Sequence, residues 1–277
     1  AADDPRRRHV ALLNPISEEQ AVMRTTLIPG MLEAAQRNIS RQQTTVRLYE
    51  IGNVFLPRAA DILPQEKEML AGPWRGTSQP SAWHTREKAC DFFDVKGIVE
   101  GLIHALGVAG ATFTALADEH CRYTRSGHTA RVDLAKEMLG LVGQVSDSVN
   151  ARYGLKQPAF IFELNLEPLV RAVDDLRQMT PIPRFPSISR DVTVIIDAAI
   201  ESKRLLDAVA RLDEPLVKDL QLFDVFAGGP IPPGKKSVSF RVVYQADDRT
   251  LEDEAVNTIH RQLTHRLVRE FDAALPA

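Results

Sequence analysis

Leu220–Tyr244, LQLFDVFAGGPIPPGKKSVSFRVVY, is the stretch that decides the fold. Two apolar runs, LQLFDVF and SVSFRVVY, flank GGPIPPGKK. This pattern predicts a β-hairpin whose long loop is stiffened by proline. In the second run Val238, Phe240, Val242 and Tyr244 alternate with Ser237, Ser239, Arg241 and Val243. One face is apolar and the other mostly polar, so the sheet is expected to be covered on one side and open on the other.

The neighbouring segments extend this unit. Asp191–Ile196 (DVTVII) reads as a strand with Val192, Val194 and Ile196 on one face. Glu201–Asp213 carries Leu205, Leu206, Val209 and Leu212 at helical spacing. Thr250–Phe271 reads as a longer helix with a ridge of Leu251, Ala255, Ile259, Leu263, Leu267 and Phe271, and Thr250 with Asp253 fits a capping box. Strand, helix, strand, strand, helix is the ferredoxin-like split βαβ order, with a fourth strand reduced to AALPA or missing. A fold of this kind hosts many functions, so the residues must supply the function.

PRFPSISRDVTVII, LFDVFAGGPIPPGKKSVSFRVVY and RTLEDEAV, in this order, resemble the ferredoxin-fold anticodon-binding domain of phenylalanyl-tRNA synthetases, over residues 183–277. The resemblance implies anticodon contacts at Thr193, Asp224, Phe226 and Ser237. Single-stranded loops are read by stacking on aromatics and by polar contacts to base edges, and Thr193, Ser237 and Arg241 point away from the apolar face. Arg190, Lys235 and Lys236 are candidates for phosphate contacts. The family often has Tyr where Phe226 stands, which keeps the stacking and loses a hydroxyl. The plainer alternatives are a half-buried strand aromatic at Phe226 and a local ion pair between Arg190 and Asp191.

Composition sets limits. The 277 residues suit about two domains. No apolar run approaches the ~20 residues that span a bilayer, and AADDPRRRHV lacks an apolar signal core. The missing initiator Met suggests a fragment. Cys90 and Cys121 have no metal-ligand spacing, so a reduced, cytoplasmic setting is the simple reading. The net charge is −3, and from Pro183 onward 13 Lys and Arg face 15 Asp and Glu. Overall charge therefore gives no basic footprint for nucleic acid, and RNA binding would depend on a few placed groups.

Upstream, Ser17 with Gln20 fits a capping box, and Pro29–Gly30 interrupts a pattern that resumes as a helix over Met31–Ser40. Val46–Phe55 reads as a strand with a possible bulge at Gly52. Leu56–Thr85 reads as a loop-rich crossing with at most a short strand. Phe92–Leu106 starts as a strand or turn and becomes a helix. Ala130–Leu134, Gly140–Val145 and Ala159–Leu166 read as strands, with helical turns at Ser146–Tyr153 and Glu167–Val173. Asp174–Pro183 reads as a domain boundary.

NPISEEQAVMRTTLIPGML, VRLYEIGNVF, DFFDVKGIVEGLI and GQV with PAFIFELNLEPL resemble the catalytic-like domain of the bacterial phenylalanyl-tRNA synthetase beta subunit, over about Leu12–Val173. The expected architecture is α+β: a class II synthetase-like antiparallel sheet domain over 1–178, followed by a ferredoxin-like βαββα(β) domain over 183–277. The strand resembling class II motif 3 holds Glu163 and Glu167 and no Arg before Arg171, and two carboxylates near a triphosphate would repel it. No catalytic residue and no metal site is therefore expected in this chain. ATP and Mg²⁺ would belong to the holoenzyme. Asp91, Asp94, Glu100, His84, His128, Lys96 and the His120–Cys121 pair lack ligand or catalytic spacing and read as structural or surface residues. The resemblance further implies an alpha subunit partner in an alpha2beta2 heterotetramer, tRNA(Phe) as the RNA and no membrane contact, with editing outside this chain. A stand-alone amino-acid-sensing or RNA-binding module is the alternative.

Overall fold

The structure is a computed structural model describing residues 4–58, 62–117, 121–174, 179 and 181–276. The chain folds as two compact units, Ala1–Gln178 and Met179–Ala277. Both are mixed α and β with antiparallel pairing throughout the main sheets. No described helix is long and apolar enough to cross a membrane.

In the first unit, helix α1 (Ile28–Ser40) and strands β1 (Val46–Arg47), β2 (Glu50–Leu56) and β3 (Gln65–Arg75) lead into a small hairpin, β4 (Thr77–Gln79) with β5 (Lys88–Ala89). Helix α2 (Phe92–Ala105) follows, then β6 (Thr112–Ala115), β7 (Thr124–Leu134), β8 (Glu137–Val145), α3 (Asp147–Arg152), β9 (Ala159–Asn165) and α4 (Leu166–Arg171). The main sheet runs β1-β3-β9-β8-β7-β6, with β2 also paired to β3.

Strand β9 shows how the layers form. Phe160, Phe162 and Leu164 join a core with Val95, Val99 and Ile103 of α2. Ala159 and Ile161 join the opposite core with Ile28, Met31 and Leu32 of α1. Both faces of the sheet are covered, so β9 reads as a continuous apolar run rather than an alternating one.

Several expectations are corrected here. Leu56–Thr85 contains β3, an eleven-residue strand paired to β1, β2 and β9. Within it, the Pro73 carbonyl accepts from Leu48 N at 3.2 Å. A Cβ on Gly72 would lie 2.5 Å from the Leu48 carbonyl, so the close strand approach requires glycine. Val46–Phe55 is two strands, and Gly52 keeps regular pairing with Met69 while leaving room for the Arg24 guanidinium. Pro29 sits in the first turn of α1 rather than before it, where its missing N–H costs nothing. Ser17 makes no side-chain cap, and Glu18–Gln20 is a single 3₁₀ turn. Helix α2 begins at once at Phe92, because Asp91 and Asp94 form a reciprocal capping box.

The second unit contains β10 (Ile188–Asp197), α5 (Ser202–Ala210), β11 (Val217–Phe226), β12 (Lys235–Tyr244) and α6 (Asp253–Phe271). The sheet order is β10-β12-β11, as a split βαβ requires. A fourth strand survives as one bridge, Ile195 to Ala274, with reciprocal bonds of 2.8 and 2.9 Å. Val238, Phe240, Val242 and Tyr244 are fully buried against Leu205, Val209, Leu263 and Leu267 of the two helices. On α6 the buried residue in the first turns is Val256, and Ala255 is exposed. The helix is capped from Glu252 without a side-chain bond, so Thr250 and Asp253 form no capping box.

Two glycines separate close packing from open space. A Cβ at Gly140 would sit 1.9 Å from the Glu163 carbonyl, whereas one at exposed Gly97 in α2 meets nothing within 4 Å. Gly97→Ala is expected to stabilise the chain by about 0.5–1 kcal/mol, and Gly140→Ala to destabilise it by prising β8 from β9. Urea unfolding followed by circular dichroism reads both.

Candidate nucleic-acid interface

Alternation on the central strand β12 defines two faces of the second unit. The helices cover one. The other carries Ser237, Ser239, Arg241 and Val243 from β12, with their register partners Ile195, Thr193 and Asp191 on β10 and Phe226, Asp224 and Gln221 on β11. Partners across an antiparallel ladder share a face, so these side chains form one surface in rows.

In the row nearest the hairpin loop, Phe226 opposes Ser237. The Phe226 ring is 47% exposed. It lies against Gly229 of the loop, where a Cβ would come within 3.5 Å of the ring. In the next row Asp224 opposes Ser239, whose hydroxyl shares a 2.9 Å hydrogen bond with Thr193. In the third row Asp191 accepts two hydrogen bonds from Arg241, at 2.8 and 3.0 Å. That guanidinium holds the Asp191 carboxyl below its ordinary range. A β-bulge between Leu222 and Asp224 sets Phe223 beside this row, with the Arg241 guanidinium carbon 5.8 Å from the ring centre.

Six of the eight residues singled out from sequence thus share the open face: Thr193, Asp224, Phe226, Lys235, Ser237 and Arg241. Arg190 and Lys236 do not, because consecutive strand residues point to opposite faces. Lys236 pairs with buried Ile196 and lies on the helix side. Arg190 turns to α6, donating to Asn257 at 2.9 Å and pairing with Asp253. It makes no ion pair with Asp191, which is engaged by Arg241 instead. Phe223 was missed, since a bulge leaves no mark on the residue pattern.

Beneath Arg190, Tyr244 Oη lies 3.0 Å from His260 Nδ1. Burial pushes the Tyr244 hydroxyl up to about 12. Burial also lowers the pKa of His260, with the Arg190 charge acting the same way and the Asp191 carbonyl and carboxylate opposing. The neutral ring accepts from the tyrosine hydroxyl at Nδ1.

Among the described residues of the first unit, the polar groups named from sequence serve as caps and surface pairs. Glu163, buried on the α1 side, accepts from Leu27 N at 2.8 Å and Thr26 Oγ1 at 2.6 Å, so it caps the N-terminus of α1. Glu167 is exposed in the first turn of α4 and bonds Arg171. Asp91 and Asp94 cap α2, and Glu100 pairs with Lys96, whose ammonium lies 4.7 Å from the Phe113 ring centre. His128 Nδ1 lies 2.9 Å from the Ser126 carbonyl, and the His84 ring packs edge-on against Trp83. Cys90 and Cys121 are buried thiols, with burial pushing Cys90 up to about 11. His120 lies outside the described residues. Among the described residues no three His, Cys, Asp or Glu side chains gather to hold a metal ion, and the carboxylates on β9 and α4 are engaged elsewhere, so these residues do not fit an ATP–Mg²⁺ site. A cavity of about 370 Å³ between α2 and the β1–β2 turn is lined by Leu48, Tyr49, Ile51, Trp74, Ile98 and other apolar residues. Arg47 at its rim stacks 4.0 Å from the centre of the Trp74 ring.

The family described as "Phenylalanyl tRNA synthetase beta chain CLM domain" matches residues 1–166, and "Ferredoxin-fold anticodon binding domain" matches residues 183–276. The chain belongs to the phenylalanyl-tRNA synthetase beta chain family. A "Phenylalanine--tRNA ligase beta subunit" from Geobacillus kaustophilus is 39% identical over 269 residues, covering 96% of this chain and 33% of that protein. One from Syntrophotalea carbinolica is 35% identical over 273 residues, covering 99% of this chain and 34% of that protein. The chain thus spans about a third of the length of the curated relatives it matches. A solved pyrrolysyl-tRNA synthetase from Desulfitobacterium hafniense overlaps 61% of this chain and 55% of its own, at TM-score 0.44 and 18% identity.

The His260 environment gives a pH prediction. The folded pKa lies below the unfolded 6.5, so the folded state binds fewer protons, and the contribution is fully present above that value and lost as pH falls below it. Asp191, also depressed, loses its contribution only below 3.8, outside that window. Urea midpoints of the full chain are expected to drop between about pH 7.5 and 5.5, and His260→Gln to flatten that drop.

Proposed function

We propose that this chain is the portion of a phenylalanine–tRNA ligase beta subunit that binds the tRNA(Phe) anticodon and supports a catalytic alpha subunit. In this reading the assembled alpha2beta2 enzyme joins phenylalanine to tRNA with ATP and Mg²⁺ in the cytoplasm, and the chemistry takes place on the partner. The 1–178 segment is a non-catalytic scaffold and the 183–277 segment the anticodon reader.

The observation that carries the reading is the open face of the second unit. It offers a half-exposed ring beside the Ser237 hydroxyl and an exposed carboxylate in the next row, on a sheet whose other face is sealed by helices. An aromatic supplies stacking to an unstacked base, and hydroxyls with a carboxylate supply partners for its polar edges. Lys235, at the start of β12 on this face, suits a phosphate. The unit's slight acidity supports recognition by placed groups over a broad electrostatic field.

Two observations support a scaffold role for the first unit. Helices cover both faces of its sheet. Tyr49, Ile51 and Ile98 are 75%, 54% and 42% exposed around the apolar cavity, a surface suited to a protein partner. A free-standing amino-acid sensor is not favoured, since the cavity lacks paired polar groups for an amino acid's charged ends.

Phe226→Ala is expected to weaken tRNA(Phe) binding by roughly 1–3 kcal/mol, the usual worth of one base–aromatic stack. Ser237→Ala is expected to cost less, about 0.5–1.5 kcal/mol. In a double-mutant cycle, the Phe226→Ala loss should shrink on a tRNA with an altered anticodon, because both changes remove one contact. Losses that simply add would place Phe226 away from the anticodon.

A further inference from the structure

The β-bulge in β11 does more than interrupt a ladder. Phe223 and Asp224 together oppose Ser239, so two successive side chains serve one side of the sheet. Bulges commonly re-aim a side chain at a functional surface. Here the re-aimed ring is 55% exposed and meets the Arg241 guanidinium at 5.8 Å. Arg241 is itself held in plane by the two-pronged bond to Asp191 on the far strand. Ring, guanidinium and carboxylate thus form a braced shelf across all three strands. A phenyl ring left half in water is unfavourable, so a partner that covers it gains apolar burial.

We propose that Phe223 and Arg241, braced by Asp191, form a second nucleobase-stacking shelf on the open face, separate from the one at Phe226. Aromatic rings and guanidinium planes are the two side-chain surfaces on which unstacked bases lie. Phe223 stands three residues before Phe226 on β11, and Arg241 reaches it from the next row of β12. Three residues of strand span on the order of 10 Å. Bases stacked on one another are about 3.4 Å apart, so the two shelves hold two bases splayed away from each other. The hydroxyl pair of Thr193 and Ser239 and the carboxylate of Asp224 fill the row between them. The open face thereby reads a segment of loop rather than one base.

This inference rests on the proposed RNA binding of the open face, and the test separates the two. The full chain is titrated with an RNA stem-loop bearing the phenylalanine anticodon, in versions that place a fluorescent adenine analogue at each loop position in turn. Phe226→Ala and Phe223→Ala are each expected to weaken binding by about 5- to 100-fold, and to change the fluorescence of different loop positions. Phe223→Leu keeps an apolar side chain on the edge strand and removes the ring. It is expected to retain the parent's urea midpoint and to lose RNA affinity as Phe223→Ala does. Asp191→Asn is expected to give a smaller loss at the Phe223-sensitive position only. Parent-like binding by Phe223→Leu, or both variants acting on the same loop position, overturns the second shelf while Phe226 retains its role. Failure of the parent chain to bind the stem-loop, or parent-like binding by Phe226→Ala and Phe223→Ala alike, overturns the RNA reading itself.

Discussion

The burial of Val238, Phe240, Val242 and Tyr244 governs the second unit. All four are sealed beneath α5 and α6. Because a strand's side chains alternate, this obliges Ser237, Ser239 and Arg241 to face the other way. A one-residue slip of β12 would drive an arginine and two serines into the core and expose four large apolar groups, so the register is held firmly. The position of every candidate RNA contact on β10 and β11 follows from that register. The proposed recognition surface is the polar complement of a hydrophobic core.

The first unit resolves the same alternation differently. Its sheet carries a helix on each face, and the strand that resembles a catalytic motif packs apolar side chains on both sides, with Glu163 as its one buried charge. Its buried carboxylate, Glu163, answers the open N–H groups at the start of α1. A negative charge there is stabilised by the helix dipole as well as by its two donors. The buried carboxylate is thus used in holding a helix against the sheet.

Much of this was legible in the residues. Period-two spacing in β10 and β12 gave the faces correctly, and the helical ridge through Leu263, Leu267 and Phe271 gave the core side of α6. What was not legible depends on geometry without a residue signature. Simple alternation would set Leu220, Leu222, Asp224 and Phe226 on one face, but the bulge at Phe223 sends the first pair to the helices and the second to the open side. Arg190 could not be separated from Asp191 by composition; only the strand's pleat sends one to α6 and the other to Arg241. Strand β3 was hidden by Gly72–Pro73, which signals a break in an isolated chain. Here glycine admits the Leu48 carbonyl and the Phe162 ring, and proline still offers its own carbonyl.

The proposed function places RNA on the open face of the β10–β12–β11 sheet. Photo-crosslinking of the full chain to a stem-loop carrying the phenylalanine anticodon, with the modified peptides identified by mass spectrometry, tests it most directly. Crosslinks are predicted in the β11 peptide containing Phe223 and Phe226 and in the β12 peptide containing Ser237 and Arg241. Crosslinks confined to α5 and α6, or to the first unit, would contradict the account.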